Sequence, residues 1–248
     1  MRGRALVFSR ILPYLPVALL LAVLAAALIL GPLDLMRDVM VEEGGVTERT
    51  VLLLLLVPVG ATVVVVLRTL VGLDTFGVFA PMILALTFLT VGIVVGLAVL
   101  GALILVGTAA RLLLERYPSL AVSRAGIIVS LAALVLFGVT FIGSAEGDTE
   151  LLQAGAFPLV ITAGIIERFT GAQMDQDPKE AARILLFTVI SSVVVWGVIS
   201  AGPVQAVLRS RPDLILLSFP ALVLMGRYTG LRLGELIRFR EVASHARV

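Results

Sequence analysis

The sequence predicts an all-α fold, a polytopic integral membrane bundle of about eight helical spans. Hydrophobic residues make up 60% of the 248 positions and charged residues only 15%, whereas soluble domains are about half apolar and a quarter charged. Such a chain cannot withdraw its apolar surface from water by folding on itself, so we expect the lipid bilayer to surround it. Apolar stretches of roughly the length that crosses a hydrocarbon core recur between short charged segments.

The first candidate span, Ile11 to Leu30, follows a basic tail carrying Arg2, Arg4 and Arg10. This start resembles a signal peptide, but its length favours an uncleaved anchor; cleavage near Ala25 to Ala27 is the alternative. The other candidate spans are Val51 to Leu67, Thr75 to Leu89, Ile93 to Leu113, Gly126 to Ile142, Leu152 to Ile166, Ile184 to Ala201 and Leu214 to Gly226.

These stretches divide the chain into three parts. Residues 1–46 hold an N-terminal cytoplasmic tail, the first anchor helix and a short outside segment. Residues 47–240 form a seven-helix membrane domain, and residues 241–248 form a cytoplasmic tail. We expect no soluble domain, because the loops and tails are too short for one.

The arginines predict the orientation. With the N-terminus inside, 15 of the 19 basic residues lie on the cytoplasmic side, which satisfies the positive-inside rule. Both termini are then cytoplasmic, the acidic segment from Asp34 to Glu48 faces out, and the expected location is a bacterial cytoplasmic (inner) membrane. Arg209 and Arg211 go against the rule, because they fall outside with Arg37 and Arg49 unless one short segment is re-entrant.

Composition excludes several kinds of chemistry. The chain has no cysteine and a single histidine, His245, so thiolate catalysis and Cys- or His-based metal sites are not expected. It carries no Walker loop, no Gly-x-Ser-x-Gly elbow and no His-Glu-x-x-His motif. We therefore predict a protein that is not an enzyme, with no cofactor and no catalytic or metal-ligating residue. Because the charges are segregated by membrane side, the net charge of +2 does not indicate a nucleic-acid partner.

Two of the spans are short and share a pattern. Gly77, Phe79 and Pro81 precede one apolar run, and Gly155, Phe157 and Pro158 precede the other. Because proline lacks an N–H, each segment is predicted to begin with irregular backbone, which survives in a membrane only inside the protein or along a wet cavity. Paired interruptions in two halves of a chain point to an inverted repeat around a midplane site. The alternative is that glycine and proline are simply common in membrane helices.

Charged residues flank both short spans. Arg68 and Asp74 precede the first, and Glu167 and Arg168 follow the second, all on the predicted cytoplasmic side. They are either ordinary interfacial charges or a cluster around one cavity between the two halves. The sequence therefore predicts a ligand site, which comprises Arg68, Asp74, Thr75, Gly77, Pro81, Phe157, Pro158, Glu167 and Arg168.

The closing segment, Gly226 to Arg240, alternates apolar residues with arginines at near-helical spacing, which suits a helix lying in the inner headgroup layer. Its arginines either anchor the chain in lipid or present forked donors to an anionic ligand or a partner protein. The candidate residues of this second site are Arg227, Tyr228, Arg232, Glu235 and Arg238. The loop from Thr170 to Arg183 lacks the acidic spacing of a calcium loop, and a solvated helix start at Pro178 is predicted there.

Three stretches carry a resemblance to a known family. They are the Arg-x5-Asp-Thr-Phe-Gly-x3-Pro pattern from Arg68, the stretch from Phe157-Pro158 to Glu167-Arg168, and the closing Gly-Arg-Tyr-Thr-Gly-x-Arg-x-x-Glu. From about Thr47 to Arg240 the chain resembles the bacterial seven-transmembrane domain usually fused to an inactive transglutaminase-like domain. More weakly, it resembles the CapC/PgsC-type membrane subunit of poly-γ-glutamate synthesis.

The resemblance implies a membrane partner for a cytoplasmic ATP-grasp amide ligase of the glutamate-ligase type, one that receives or exports the anionic peptide product. The chain departs from the fused form because only about 18 residues, Gly31 to Glu48, stand where the fused proteins carry their soluble domain. Our leading hypothesis is a non-catalytic subunit of a poly-amino-acid synthesis and export system. The alternatives are a stand-alone secondary transporter of a small anionic solute and a membrane-embedded enzyme. Self-association into a homo-oligomer is a further expectation.

Overall fold

The computed structural model describes residues 31–114, 121–145, 164–166, 168–173 and 178–227, together with Ala22, Ala25 and Ile29. These residues contain no strand. They divide between two compact units, one made of Met1–Val71 with Ile199–Val248 and the other of Gly72–Val198.

Eight α-helices can be numbered in the described residues. They are α1 (Pro32–Asp38), α2 (Glu48–Val66), α3 (Phe79–Val91), α4 (Ile93–Leu114), α5 (Ala121–Ala145), α6 (Pro178–Ile199), α7 (Gly202–Ser210) and α8 (Ser218–Gly226). Residues 164–166 and 168–173 are also helical. Wider π-helical turns extend α1 over Val39–Glu43 and α2 over Leu67–Val71, and a 3-10 turn, Pro212–Leu217, leads into α8.

Three described stretches are long and apolar enough to cross a membrane: Glu48–Val71, Ile93–Leu113 and Pro178–Ile199. Only about a third of each is buried within the protein. Their other faces expose large apolar side chains such as Leu54, Leu105 and Leu186. In water this exposure would be unfavourable, whereas lipid tails are as apolar as these side chains. The all-α membrane fold predicted from composition is therefore confirmed.

The unit Gly72–Val198 is organised around α3 and α4. Helix α4 packs against both α3 and α5. The buried core includes Leu84 and Phe88 of α3, Leu100 and Leu103 of α4, and Ala132 of α5, and side chains of α6, including Trp196, pack against it. Gly92, with φ of +84°, separates α3 from α4 and allows the chain to reverse there.

The other unit is organised around α2. Its buried positions Leu52, Leu56, Gly60 and Val64 recur every four residues and form one stripe. Helices α7 and α8 pack against α2, and α1 contacts the 3-10 turn before α8. Helix α2 continues through Pro58, whose carbonyl accepts a hydrogen bond from the Thr62 hydroxyl at 2.8 Å.

Several predicted boundaries change. The span predicted to begin at Ile184 is helical from Pro178, which confirms the predicted helix start. The loop predicted from Thr170 is wrong at its beginning, since residues 170–173 are helical, with Thr170 and Gln173 buried. The span predicted over Leu214 to Gly226 starts as a 3-10 turn, and the amphipathic helix α7 before it was not predicted. Most of the predicted span Leu152 to Ile166 lies outside the described residues.

Candidate functional site

The first short span begins with irregular backbone, as predicted. Residues 72–78, called the 72–78 loop below, have no regular structure before α3 begins at Phe79. Gly72 and Gly77 adopt φ of +87° and +75°, which side-chain-bearing residues rarely do. The Thr75 hydroxyl donates to the Gly77 carbonyl at 2.7 Å, and the Gly77 N–H donates to the Thr75 carbonyl at 2.6 Å. These two bonds close the loop into a tight turn.

Pro81 lies within the first turn of α3 rather than in its interior. An N–H in this turn has no intrahelical acceptor, so proline removes no helical hydrogen bond here and its fixed φ suits a helix start. The helix that follows is buried along most of its length, from Ala80 through Ala85 and again at Thr87, Phe88 and Val91. The prediction that this segment lies inside the protein is therefore confirmed.

A side chain of α6 binds the 72–78 loop. The backbone N–H of Phe76 donates to the hydroxyl oxygen of Thr188 at 3.1 Å, and that hydroxyl donates to the Ile184 carbonyl at 2.7 Å. Thr188 is fully buried. The loop thus satisfies a backbone donor with a side chain of a membrane-spanning helix instead of with water.

An aromatic contact holds the same loop from another direction. The rings of Phe76 and Phe169 meet edge to face, with their centroids 6.4 Å apart and an interplanar angle of 75°. Phe169 is buried in a small cluster with Ala181 and Leu185 of α6. The loop is therefore fixed against both the 168–173 helical residues and α6.

Asp74 is the charged residue of the loop, and its partner is Arg183 of α6. Their side chains are 4.0 Å apart, and Arg183 also pairs with Glu180 at 2.6 Å. All three side chains are about half exposed. Arg183 was predicted to lie at the end of a loop, and this pairing was not predicted. The feature of the sequence that could have identified Arg183 is its position about one turn after Pro178, where the helix begins.

The structure brings together only part of the predicted ligand site. Asp74, Thr75, Gly77 and Pro81 lie in or beside the 72–78 loop, whereas Arg68 lies half-buried in the π-helical turn after α2, in the other unit. Arg168 is exposed. Phe157, Pro158 and Glu167 lie outside the described residues, as do Tyr228, Arg232, Glu235 and Arg238 of the second site; Arg227 follows α8 and is exposed.

Hydroxyl groups line the buried face of α6. Thr188, Ser191 and Ser192 are each fully buried. Ser192 donates to the Thr188 carbonyl at 2.6 Å, whereas the Ser191 hydroxyl has no hydrogen-bond partner among the described residues. No group of three or more His, Asp or Glu side chains suited to a metal ion occurs among the described residues. The chemistry available in this described region is hydrogen bonding and electrostatic attraction.

Three long apolar helices, together with a short buried helix that follows an irregular loop, define the class of this molecule. It is a polytopic helical membrane protein. A family described as seven transmembrane helices usually fused to an inactive transglutaminase matches this chain over residues 34–243. The chain belongs to that family. Comparison with the curated proteins and with the solved structures gave no match.

Proposed function

We propose that this chain is a non-catalytic membrane subunit of a peptide or poly-amino-acid synthesis system. In this proposal its cytoplasmic face docks a soluble ATP-grasp amide ligase, and the anionic product passes across the membrane. The observation that carries the proposal is family membership, because the relatives are usually fused to a transglutaminase that is inactive. A membrane domain that is usually fused to an inactive enzyme domain is better suited to binding or positioning other molecules than to catalysis.

A charged surface on the 72–78 loop and α6 supports the docking part of the proposal. It consists of Asp74, Lys179, Glu180 and Arg183, all with exposed or half-exposed side chains. The orientation predicted from the arginines places this surface on the cytoplasmic side. Both signs of charge lie together there, which favours a specific protein contact over general attraction to anionic lipid.

The docking proposal is tested by affinity purification of the chain from native membranes in mild detergent, followed by identification of bound proteins. We expect an ATP-grasp ligase, and we expect Arg183→Glu to weaken its recovery. The matched control is Arg49→Glu, an exposed arginine at the start of α2 in the other unit. Intact protein that recovers no ligase, or equal recovery with both variants, would contradict the proposal.

The second candidate is a stand-alone secondary transporter of a small anionic solute. The observation that favours it is the 72–78 loop followed by the buried helix α3, since interrupted helices of this kind form substrate sites in transporters. Helix α3 has 13 residues and spans only about 20 Å, less than a hydrocarbon core of about 30 Å.

Reconstitution separates the two candidates. Purified protein in liposomes that accumulates a labelled anionic peptide or amino acid without any partner supports the transporter. Uptake that appears only when the ligase and ATP are added supports the subunit. Gly77→Ala is the control in both reconstitution assays, because it strains the 72–78 loop without changing any charge.

A further inference from the structure

The unit built on α2 contains a partly open cavity of about 200 Å³, and none of the predicted site residues lines it. It is lined by Arg37, Val41, Glu48, Val51, Leu52, Leu55 and Arg209. The aliphatic side chains come mostly from the first two turns of α2, and the charged groups from α1, α2 and α7. Its lining therefore combines an apolar wall with charges of both signs.

The surroundings of the cavity are tied together by hydrogen bonds. The Arg37 guanidinium donates to the backbone carbonyl of Arg209 and pairs with Asp38 at 2.7 Å. The buried carboxylate of Asp213 accepts the Leu33 N–H at 3.0 Å. These contacts fix α1 against the segment that holds Arg209, so the cavity is a built feature of this unit.

Two opposite charges on the cavity are not paired with each other. Glu48 and Arg209 are both exposed, and neither forms an ion pair with any residue that the structure describes. Arg37, by contrast, has its charge balanced by Asp38. Among the described residues, Arg209 and Glu48 thus present one cation and one anion to the cavity without an ion-pair partner.

The size and place of the cavity limit what it can hold. Pockets that enclose a whole ligand measure about 300–1,000 Å³, so this cavity suits the end of a larger molecule. It lies at the N-terminal end of α2, which is a candidate membrane span, and its apolar wall runs along that helix. This is where a lipid headgroup meets its acyl chains.

We propose that the cavity binds a phosphate–ammonium zwitterion of the phosphoethanolamine type. The phosphate contacts Arg209 with support from Arg37, the primary ammonium contacts Glu48, and the apolar continuation of the molecule lies on Val51, Leu52 and Leu55. Arginine offers phosphate forked donors, and a primary ammonium offers three N–H groups to a carboxylate. The group reaches the cavity either as the head of a membrane phospholipid or as a free soluble molecule.

The test is native mass spectrometry of the purified full chain, titrated with phosphatidylethanolamine, phosphatidylcholine and phosphatidylglycerol of identical acyl chains. Phosphatidylcholine lacks N–H donors and phosphatidylglycerol lacks the ammonium, so we expect phosphatidylethanolamine to bind most tightly. Arg209→Gln and Glu48→Gln should each weaken its binding at least about tenfold, because each removes a charge-assisted hydrogen bond to the headgroup.

The matched controls are Arg211→Gln and Arg49→Gln, exposed neighbours that do not line the cavity. They should bind like the unchanged chain. Displacement of the lipid by soluble glycerophosphoethanolamine would assign the site to the free zwitterion, and persistence of the lipid would assign it to the membrane. Equal binding of the three lipids, or equal effects of cavity and control variants, would overturn the proposal.

Discussion

The backbone N–H of Phe76 donates to the hydroxyl of Thr188, with 3.1 Å between the two atoms, across 112 positions of sequence. This bond explains how an irregular loop persists beside membrane-spanning helices. Where packing excludes water, a free backbone donor must find its acceptor within the protein. Thr188 supplies that acceptor and directs its own proton to Ile184.

Replacing Thr188 by valine should therefore destabilise the protein by about 1–2 kcal/mol, because the partly buried Phe76 N–H loses its acceptor while the shape of the side chain is kept. Thr188→Ser keeps the hydroxyl and serves as the control. Both are compared by unfolding in mixed detergent micelles. A serine variant that loses as much stability as the valine variant would show that packing, not the hydrogen bond, matters at this position.

Gly77→Ala should also destabilise the protein, by about 1 kcal/mol. Gly77 has φ of +75°, and an added Cβ meets no atom within 4 Å, so the backbone conformation alone is responsible for the loss. Gly101→Ala in α4 meets no atom within 4 Å either, but there alanine favours the helix and should not destabilise. Opposite signs for these two substitutions in the same unfolding assay would support this explanation; equal signs would refute it.

The sequence was sufficient to predict that α3 follows a stretch of irregular backbone. Gly77 and Pro81 are local signals, because a positive φ and a missing N–H act within a few residues of the chain. The same holds for the helix that begins at Pro178. Long apolar stretches likewise predicted the spans of α2, α4 and α6, since crossing a bilayer depends on composition and length.

The contacts between these helices could not be predicted from such local signals. Asp74 pairs with Arg183, more than a hundred positions away, and no local pattern encodes that contact. The spans are apolar around their whole circumference, so periodicity does not indicate which face packs inward and which meets lipid. Arg209, which goes against the positive-inside rule, accepts a hydrogen bond from Arg37. Both residues line the cavity at the N-terminal end of α2, and the outward orientation of that end stays a prediction.

Gly107 lies where α4 closely contacts the helical residues Ile166 and Thr170. This contact can be tested by adding a single methyl group. A Cβ added there would lie 2.6 Å from Ile166 Cγ2 and 3.2 Å from Thr170 Oγ1, both on buried residues. Gly107→Ala should therefore cost about 1–3 kcal/mol through overpacking. Gly101→Ala on the same helix is again the control. Ile166→Ala removes the Cγ2 atom that the added Cβ would meet, so Gly107→Ala should cost less stability in the Ile166→Ala background than in the unchanged chain.

The Asp74–Arg183 pair can be tested for docking separately from stability. Because both side chains are about half exposed, breaking the pair should change the free energy of unfolding by less than about 1 kcal/mol. Ligase recovery in the affinity purification should nevertheless fall for Asp74→Arg and for Arg183→Asp, since each changes the sign of a charge on the proposed docking surface. Combining the two substitutions restores the ion pair between these positions with exchanged charges, although Glu180 loses its own pairing with Arg183 and is therefore replaced by glutamine in all compared variants. If ligase binding depends on which position carries each charge, the double variant should recover stability and still fail to bind the ligase. If the double variant recovers both stability and ligase binding, the pair acts only by holding the 72–78 loop in place.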